Sequence, residues 1–550
     1  MKAPSSRTLG TLLQEQAEER GDADAIVFAG RHVGYRELQG EVQRLVNGFL
    51  ALGLRPGDRI VAWLPNSVEW IVADLAAASI GCVFVGGNTW YRVRELHYVL
   101  RQSGARLLLV TDRFLSHDYE AEFAGLASVD DPSGERGGSV IPSLPALEFV
   151  VSLTRGFQGA THTLGDVVEA GRNARHEDWA AAAAAVHPDA PAYLLYTSGS
   201  TAAPKGVVLN HRGLIENGFN IGERQHLERD DRMWLATPLF FSYGCANGLM
   251  AQLSHGCTLV LQDHFEAREA YETLTREECT VYYASSNMTM GLLDLPERDR
   301  ARLRLRTGTT AGAAKNVRAV IERLHIEQVC NMFGLTETYG NCSVTDALEP
   351  VDVRCGGSGP ALPGNEIVIV DPETERLLNP GEVGEIRVRG YVTPGYFEDP
   401  ERNADAFDAD GFLKTGDLGY LDRRAHLHWV ARMDDMIKAS GINVAPVEVE
   451  EVLNADPRVK RSYVVGIPDA VRGQIVGAFL ELEDGQAMRP EDVREVCRAS
   501  LASYKVPRVV EFLRPDEVPF TPTGKVRKRD LRDRYVARAE APGTAAGPRS

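Results

Sequence analysis

Short apolar strands alternating with amphipathic helices constrain this chain's fold more than any other feature of its sequence. Leu9–Glu19, Tyr35–Leu52 and Ser67–Ile80 have helical apolar spacing, the last behind an Asn66-Ser67 capping signal. Between and after them, Ala25–Phe28, Arg59–Leu64, Val83–Gly86 and Leu107–Val110 are apolar runs too short for buried helices, and they read as strands. The alternation predicts a parallel-rich α/β layer, and it resumes through the middle third of the chain. A six-alanine run, Ala180–Ala185, reads as a helix ahead of the strand Ala192–Tyr196. The Gly/Ser/Pro-rich stretch 128–147 reads as a surface loop.

From about Asn365 the texture changes to short β segments with Gly/Pro turns, which predicts a small separate β unit. After Asp434, helix signals at Glu448–Leu453 and Pro490–Leu501 and strand signals at Val459–Ile467 and Ile475–Leu482 suffice for a C-terminal domain of its own. The Pro/Gly/Ala-rich end, 536–550, reads as a disordered tail. A length of 550 residues allows roughly three or four domain-sized units.

Composition narrows the function. A formal net charge of −17 argues against a dedicated nucleic-acid binder, which needs a basic face. No run of 18 apolar residues predicts a membrane span, and the N-terminal segment lacks the apolar core of a secretory signal. The eight cysteines are scattered with no CxxC pair, fitting reduced, mostly buried thiols of a cytoplasmic protein.

The strongest chemical signal is Tyr196-Thr-Ser-Gly-Ser-Thr-Ala-Ala-Pro-Lys-Gly-Val207, directly after an apolar strand. Backbone N–H groups and hydroxyls of such a loop can converge on phosphate oxygens, and Lys205 adds a point charge. The Gly and Lys spacing is not that of the P-loop NTPases. The loop resembles the phosphate-binding signature of the acyl-adenylate-forming superfamily of acyl-CoA synthetases, nonribosomal-peptide adenylation domains and luciferases. Four further motifs follow in the superfamily's order: Asn331-Met-Phe-Gly-Leu-Thr-Glu337, Leu413-Lys-Thr-Gly-Asp-Leu-Gly-Tyr-Leu-Asp422, Ala431-Arg-Met-Asp-Asp-Met-Ile-Lys-Ala-Ser-Gly441 and Pro522-Thr-Gly-Lys525. The resemblance covers about residues 8 to 535.

It implies an α/β fold with a large multi-subdomain N-terminal region, residues 1–433, built of two α/β layers plus a small β-barrel-like unit. A smaller, mobile α+β domain, residues 434–535, would carry the catalytic lysine. It also implies ATP or acyl-AMP, Mg²⁺ and coenzyme A as cofactors and a small-molecule carboxylic acid as substrate. By the same resemblance Thr197, Ser198, Gly199, Ser200, Thr201 and Lys205 hold the phosphates, Phe333 stacks on adenine and Asn331 meets its edge. Thr336 donates to the α-phosphate, Glu337 and Thr201 serve the metal, Asp417 accepts the ribose hydroxyls, and Arg432 supports the ribose or the phosphate. Lys525 bridges the attacking carboxylate and the α-phosphate, Asp434 is the hinge, and Ser440 and Gly441 face a pantetheine tunnel. Phe240, Phe241, Tyr243 and Gly312 are assigned to the acyl pocket, with Tyr282 and Tyr283 as further aromatic lining.

Three positions depart from the superfamily pattern. Ala202 stands where the phosphate loop usually has glycine; if φ > 0 is needed there, alanine costs about 1–2 kcal/mol. Ala431 replaces a glycine of the hinge motif, and Phe241 stands where many acyl-CoA synthetases have histidine. No aspartate in the pocket stretch awaits a substrate amine, which favours an acid without an α-amino group, aromatic or bulky alicyclic. The leading expectation is an acyl-CoA ligase. Its rivals are an enzyme that only thioesterifies acyl-AMP made by a separate adenylating enzyme, a stand-alone adenylation enzyme loading a carrier protein, and a non-catalytic nucleotide binder.

Overall fold

Continuous apolar runs need cover on both faces, and in the computed structural model helices supply it. The structure describes residues 1–129, 140–173, 176–197, 204–310, 314–439, 442–469, 472–520 and 526–540. Arg59–Trp63, Val83–Gly86, Leu107–Val110, Phe149–Ser152 and Pro191–Thr197 are parallel neighbours in a seven-stranded sheet. Lys205–Asn210 closes its edge, antiparallel to Pro191–Thr197. An eight-stranded sheet has Gln328–Phe333, Thr307–Thr310, Val281–Tyr283, Arg232–Leu235, Thr258–Leu261 and Asp24–Phe28 in parallel order, with short antiparallel strands at both edges.

The largest apolar cluster runs from Ile60, Ala62 and Phe84 of the first sheet, through the helices, to Leu235, Leu259 and Val281 of the second. The helix Val68–Ser79 lies inside it. Its sequence is apolar nearly all round, so almost every residue is buried, and Ser67 caps it by accepting from Trp70 N at 3.1 Å.

The small β unit is a four-stranded antiparallel meander, Glu366–Val370, Gly384–Arg389, Leu413–Leu421 and Leu427–Arg432, with an open strand order. The C-terminal part pairs Val459–Asp469 antiparallel with Gly473–Leu482. The helix Pro490–Ser500 then crosses over to Val509–Phe512, parallel to the second of these strands.

Two expectations are corrected. The stretch 128–147 is not all surface loop: Ile141, Leu144 and Leu147, spaced three apart, are buried against the seven-stranded sheet, while 130–139 lie outside the described residues. The expected tail begins as helix, because Lys528–Glu540 runs on through residues 536–540 and Arg538 pairs with Glu511 at 3.2 Å. All eight cysteines are buried and unpaired as disulfides. No helix among the described residues is long and apolar enough to cross a membrane.

Candidate active site

The strand Pro191–Thr197 is buried along Ala192–Tyr196, which fixes where the phosphate-type loop leaves the sheet. At its mouth Thr197 pairs in register with Lys205. The Thr197 hydroxyl is buried and has no hydrogen-bond partner among the described residues. Ser198, Gly199, Ser200 and Thr201 lie outside the described residues, as do Ala202, Gly312, Ser440, Gly441 and Lys525.

Lys205 reaches Glu337, which sits on the short turn Thr336–Thr338 beyond the strand Gln328–Phe333. The ammonium lies 2.6 Å from Glu337 Oε1. Tyr396 completes the cluster: its hydroxyl donates to the same Oε1 at 2.9 Å, and its ring centroid is 4.7 Å from Lys205 Nζ. Glu337 is only 6% exposed. Burial pushes its carboxyl up, but the Lys205 charge, its hydrogen bond, a backbone N–H and Tyr396 together hold it below the usual carboxylate range. The segment 393–397 is stitched to this region through the backbone. Thr393 N donates to Glu337 O at 2.6 Å, Phe397 N to Gly206 O at 2.8 Å, and Val208 N to Gly395 O at 3.2 Å.

An aromatic wall adjoins this cluster. Phe240 and Phe241 pack at 4.3 Å, and Tyr243 opens a π-helical turn, Tyr243–Leu249, a form found often at functional sites. Gly244 allows that turn, since a Cβ there would sit 2.3 Å from Pro238 O. Tyr243 is tied down: its hydroxyl lies 2.8 Å from Thr309 Oγ1 and its ring 5.1 Å from that of Tyr283. Ser242 Oγ and Thr336 Oγ1, 3.0 Å apart, join this wall to the Glu337 turn.

Tyr282 is not pocket lining. Strand neighbours face opposite sides, so Tyr282 turns away from Tyr283, stacks on Trp234 and bonds Thr289 Oγ1 at 2.5 Å. Tyr283 is itself fully buried and backs Tyr243 rather than lining a surface.

Asp417 and Arg432 oppose each other across the meander's last two strands. Asp417, 3% exposed, accepts from Trp429 Nε1 at 2.9 Å and pairs with Arg432 Nε at 3.2 Å. The Arg432 side chain is half exposed. Asn331 is buried, with its amide donating to Gly357 O at 3.0 Å and its Oδ1 accepting from Met332 N at 2.9 Å. Phe333 is 8% exposed and packs with Ile367, Ile386 and Leu427, so much of its surface serves the contact between the eight-stranded sheet and the meander. Asp434 is exposed on the turn Met433–Asp435 just past the meander.

Sequence reasoning missed Tyr396, Ser242 and Trp429. Trp429 and Ser242 lie within or between motifs already singled out. The one sequence signal at Tyr396 is a Gly395-Tyr396 pair just ahead of Asp399, which caps the helix Pro400–Ala406.

A metal would find a single carboxylate here. No cluster of three or more His, Cys, Asp or Glu among the described residues could hold one. Glu337 alone suits Mg²⁺, which keeps several waters and takes one or two carboxylates together with substrate phosphates.

Comparison with known proteins identifies the family. Residues 13–397 match the model of the AMP-binding enzyme family, and 448–525 match its C-terminal domain. The chain is 32% identical over 544 residues to the acyl-CoA ligase sidI of Aspergillus fumigatus, covering 96% of this chain and 90% of that one. It is 30% identical over 548 residues to the mitochondrial medium-chain acyl-CoA ligase ACSF2 of Rattus norvegicus, covering 96% and 87%. Among solved structures, the anthranilate CoA ligase AuaEII in complex with anthranoyl-AMP superposes with a TM-score of 0.85 at 26% identity, covering 98% of this chain and 100% of that one. A chain matched over both its parts, and along nearly its whole length by ligases of one kind, belongs to the AMP-binding enzyme family as an AMP-forming acid–thiol ligase with acyl-CoA ligase activity.

Proposed function

We propose that this enzyme activates an organic acid without an α-amino group, aromatic or bulky alicyclic, as its acyl-AMP and passes the acyl group to coenzyme A. One observation carries the reading: the Ser242–Thr336 contact places an aromatic wall and a lysine–glutamate cluster side by side. An acid lying against Phe241 and Tyr243 would have its carboxylate near Thr336. The structural likeness to a ligase whose printed ligand is anthranoyl-AMP supports an aromatic acid.

In the first step a carboxylate oxygen attacks the α-phosphorus, and the bond to pyrophosphate breaks. Lys205 leaves Glu337 to neutralise the departing phosphates, Thr336 donates to the α-phosphate, and Asp417 accepts the ribose hydroxyls. Charge stabilisation and positioning are the protein's main contributions to such a transfer. Mg²⁺ would be held by Glu337, to which the superfamily resemblance adds Thr201, and would neutralise phosphate charge. In the second step the thiolate of coenzyme A attacks the acyl carbonyl, a C–S bond forms and AMP leaves. Rotation of residues 434–535 about Asp434 would exchange Lys525 for Ser440 and Gly441 between the steps.

A second reading, thioesterification alone, is favoured by one observation, Ala202 in the phosphate loop. A split assay separates the two. One arm follows acid-dependent ATP–pyrophosphate exchange across aromatic and alicyclic acids, the other thioester from synthetic acyl-AMP and coenzyme A. Turnover in both arms supports the full ligase. Thioester without exchange for any acid leaves only the partial one.

A further inference from the structure

In this structure Lys205 and Glu337, the groups assigned above to phosphate and metal, neutralise each other at 2.6 Å. Nucleotide capture must therefore break an ion pair that is largely out of water. The lysine has somewhere to go, since the phosphates replace its counter-charge. The carboxylate stays behind, and a carboxylate so buried is costly to leave without a partner. Among the described residues the side-chain donors to its Oε1 are Lys205 Nζ and the Tyr396 hydroxyl.

Tyr396 is built to stay. Its backbone N–H donates to Asn403 Oδ1 at 2.6 Å, its carbonyl accepts from Asn403 Nδ2 at 2.9 Å, and it bridges Val207 two residues beyond Lys205. Its ring lies 4.7 Å from the ammonium, close enough for cation–π attraction along the lysine's path. The same side chain thus touches both charges: its hydroxyl donates to Glu337 Oε1 and accepts from Lys205 Nζ at 3.1 Å, and its ring faces the ammonium.

We propose that Tyr396 is a positioning residue for nucleotide capture, whose hydroxyl keeps hold of the Glu337 carboxylate while its ring steadies Lys205 as that lysine crosses to the phosphates. The proposal rests on the adenylate-forming reading above. Once Lys205 has left, the hydroxyl's remaining partner in the cluster is Glu337, and the ring acts on the lysine's path. Removing the hydroxyl matters most when Glu337 has lost Lys205 and gained no cation, that is, for nucleotide bound without Mg²⁺.

The test is calorimetric binding of α,β-methylene-ATP to the full chain, with Mg²⁺ and with EDTA, which needs neither acid nor turnover. Tyr396→Phe is expected to raise Kd about tenfold in EDTA, the scale of one hydrogen bond to a charged group, and less than threefold with Mg²⁺. Tyr396→Leu loses the ring as well and weakens binding in both conditions. Tyr391→Phe is the control, because that hydroxyl bonds Glu216 outside the cluster; it leaves both constants unchanged. Equal weakening by Tyr396→Phe in the two conditions, no weakening in either, or the same pattern from Tyr391→Phe would overturn the proposal. Wild-type protein that binds the analogue in neither condition would overturn the nucleotide reading along with it.

Discussion

The two charged ends of the site are assembled in opposite ways. At one end, Lys205, Glu337 and Tyr396 come from three chain segments and meet around a carboxylate that is 6% exposed. At the other, Asp417, Trp429 and Arg432 come from one pair of adjacent strands, and the cation is half exposed. The first cluster ties the seven-stranded sheet to the eight-stranded one, so its charges contribute to the fold as well as to the chemistry. The second is local to a hairpin, and its arginine remains largely solvated. Both carboxylates are buried, so the two pairs differ in the cation, whose side chain is 20% exposed at Lys205 and 50% at Arg432 and is screened by water accordingly.

The largest effect should come from breaking the buried end. Lys205→Met leaves Glu337 buried beside an apolar side chain. Such a loss costs about 3–5 kcal/mol where the remaining charge cannot reach water. Chemical denaturation at neutral pH should show this as a lower midpoint. Adding Glu337→Gln should recover part of the loss, since it removes the stranded charge. A double variant no more stable than the additive sum would contradict the coupling.

At the hairpin end, Asp417→Asn keeps an oxygen to accept from Trp429 but loses the charge and one acceptor. The expected result is an ATP KM raised about tenfold, the scale of a charged hydrogen bond, with a smaller change in stability than at Lys205. Equal destabilisation by the two variants would erase the distinction between the ends.

A third acid sharpens the comparison, because it is buried with no cation paired to it among the described residues. Asp74, in the helix Val68–Ser79, accepts from the Tyr193 hydroxyl at 2.7 Å, and its other oxygen has no partner among the described residues. Burial pushes its carboxyl up to about 8, outweighing the opposing hydrogen bond from Tyr193. Here the folded protein keeps a proton that the unfolded chain releases near pH 4. Stability from this group is therefore full in acid and is lost as pH rises toward 8. Between pH 5.5 and 7.5 the wild type should lose on the order of 1 kcal/mol per pH unit that Asp74→Asn does not lose. Melting temperatures of both proteins across that window check it; parallel curves would mean that Asp74 is ionised in the fold.

How much was legible follows the same division. At the hairpin end Asp417 and Arg432 each stood out in a motif, and their closeness is legible because the two motifs lie fifteen residues apart and one turn joins them, though Trp429 between them went unread. Strands such as Val83–Gly86 and Leu107–Val110 were readable because a short apolar run has few other uses. Lys205 and Glu337 each stood out in a motif, but nothing local says that they pair, and Tyr396 lies 191 residues from Lys205 with no pattern linking them. Tyr282 and Tyr283 were read together, although strand alternation sends them to opposite faces. Ile141, Leu144 and Leu147 were hidden because their Gly/Ser/Pro-rich surroundings masked an apolar spacing of three.

The smallest effect expected is at Arg432. Its guanidinium is 3.2 Å from Asp417, but with half of the side chain exposed, water already screens the pair. Arg432→Gln should therefore change stability by less than about 1 kcal/mol. Trp429 still donates to Asp417 Oδ1, so the carboxylate does not lose its orientation. Salt gives the sharper reading. Raising ionic strength should shrink the difference between wild type and Arg432→Gln, whereas the Lys205→Met difference, out of reach of the ion atmosphere, should persist. If both differences shrink together, the two ends are equally solvated, and the contrast between a buried and an open charge pair fails.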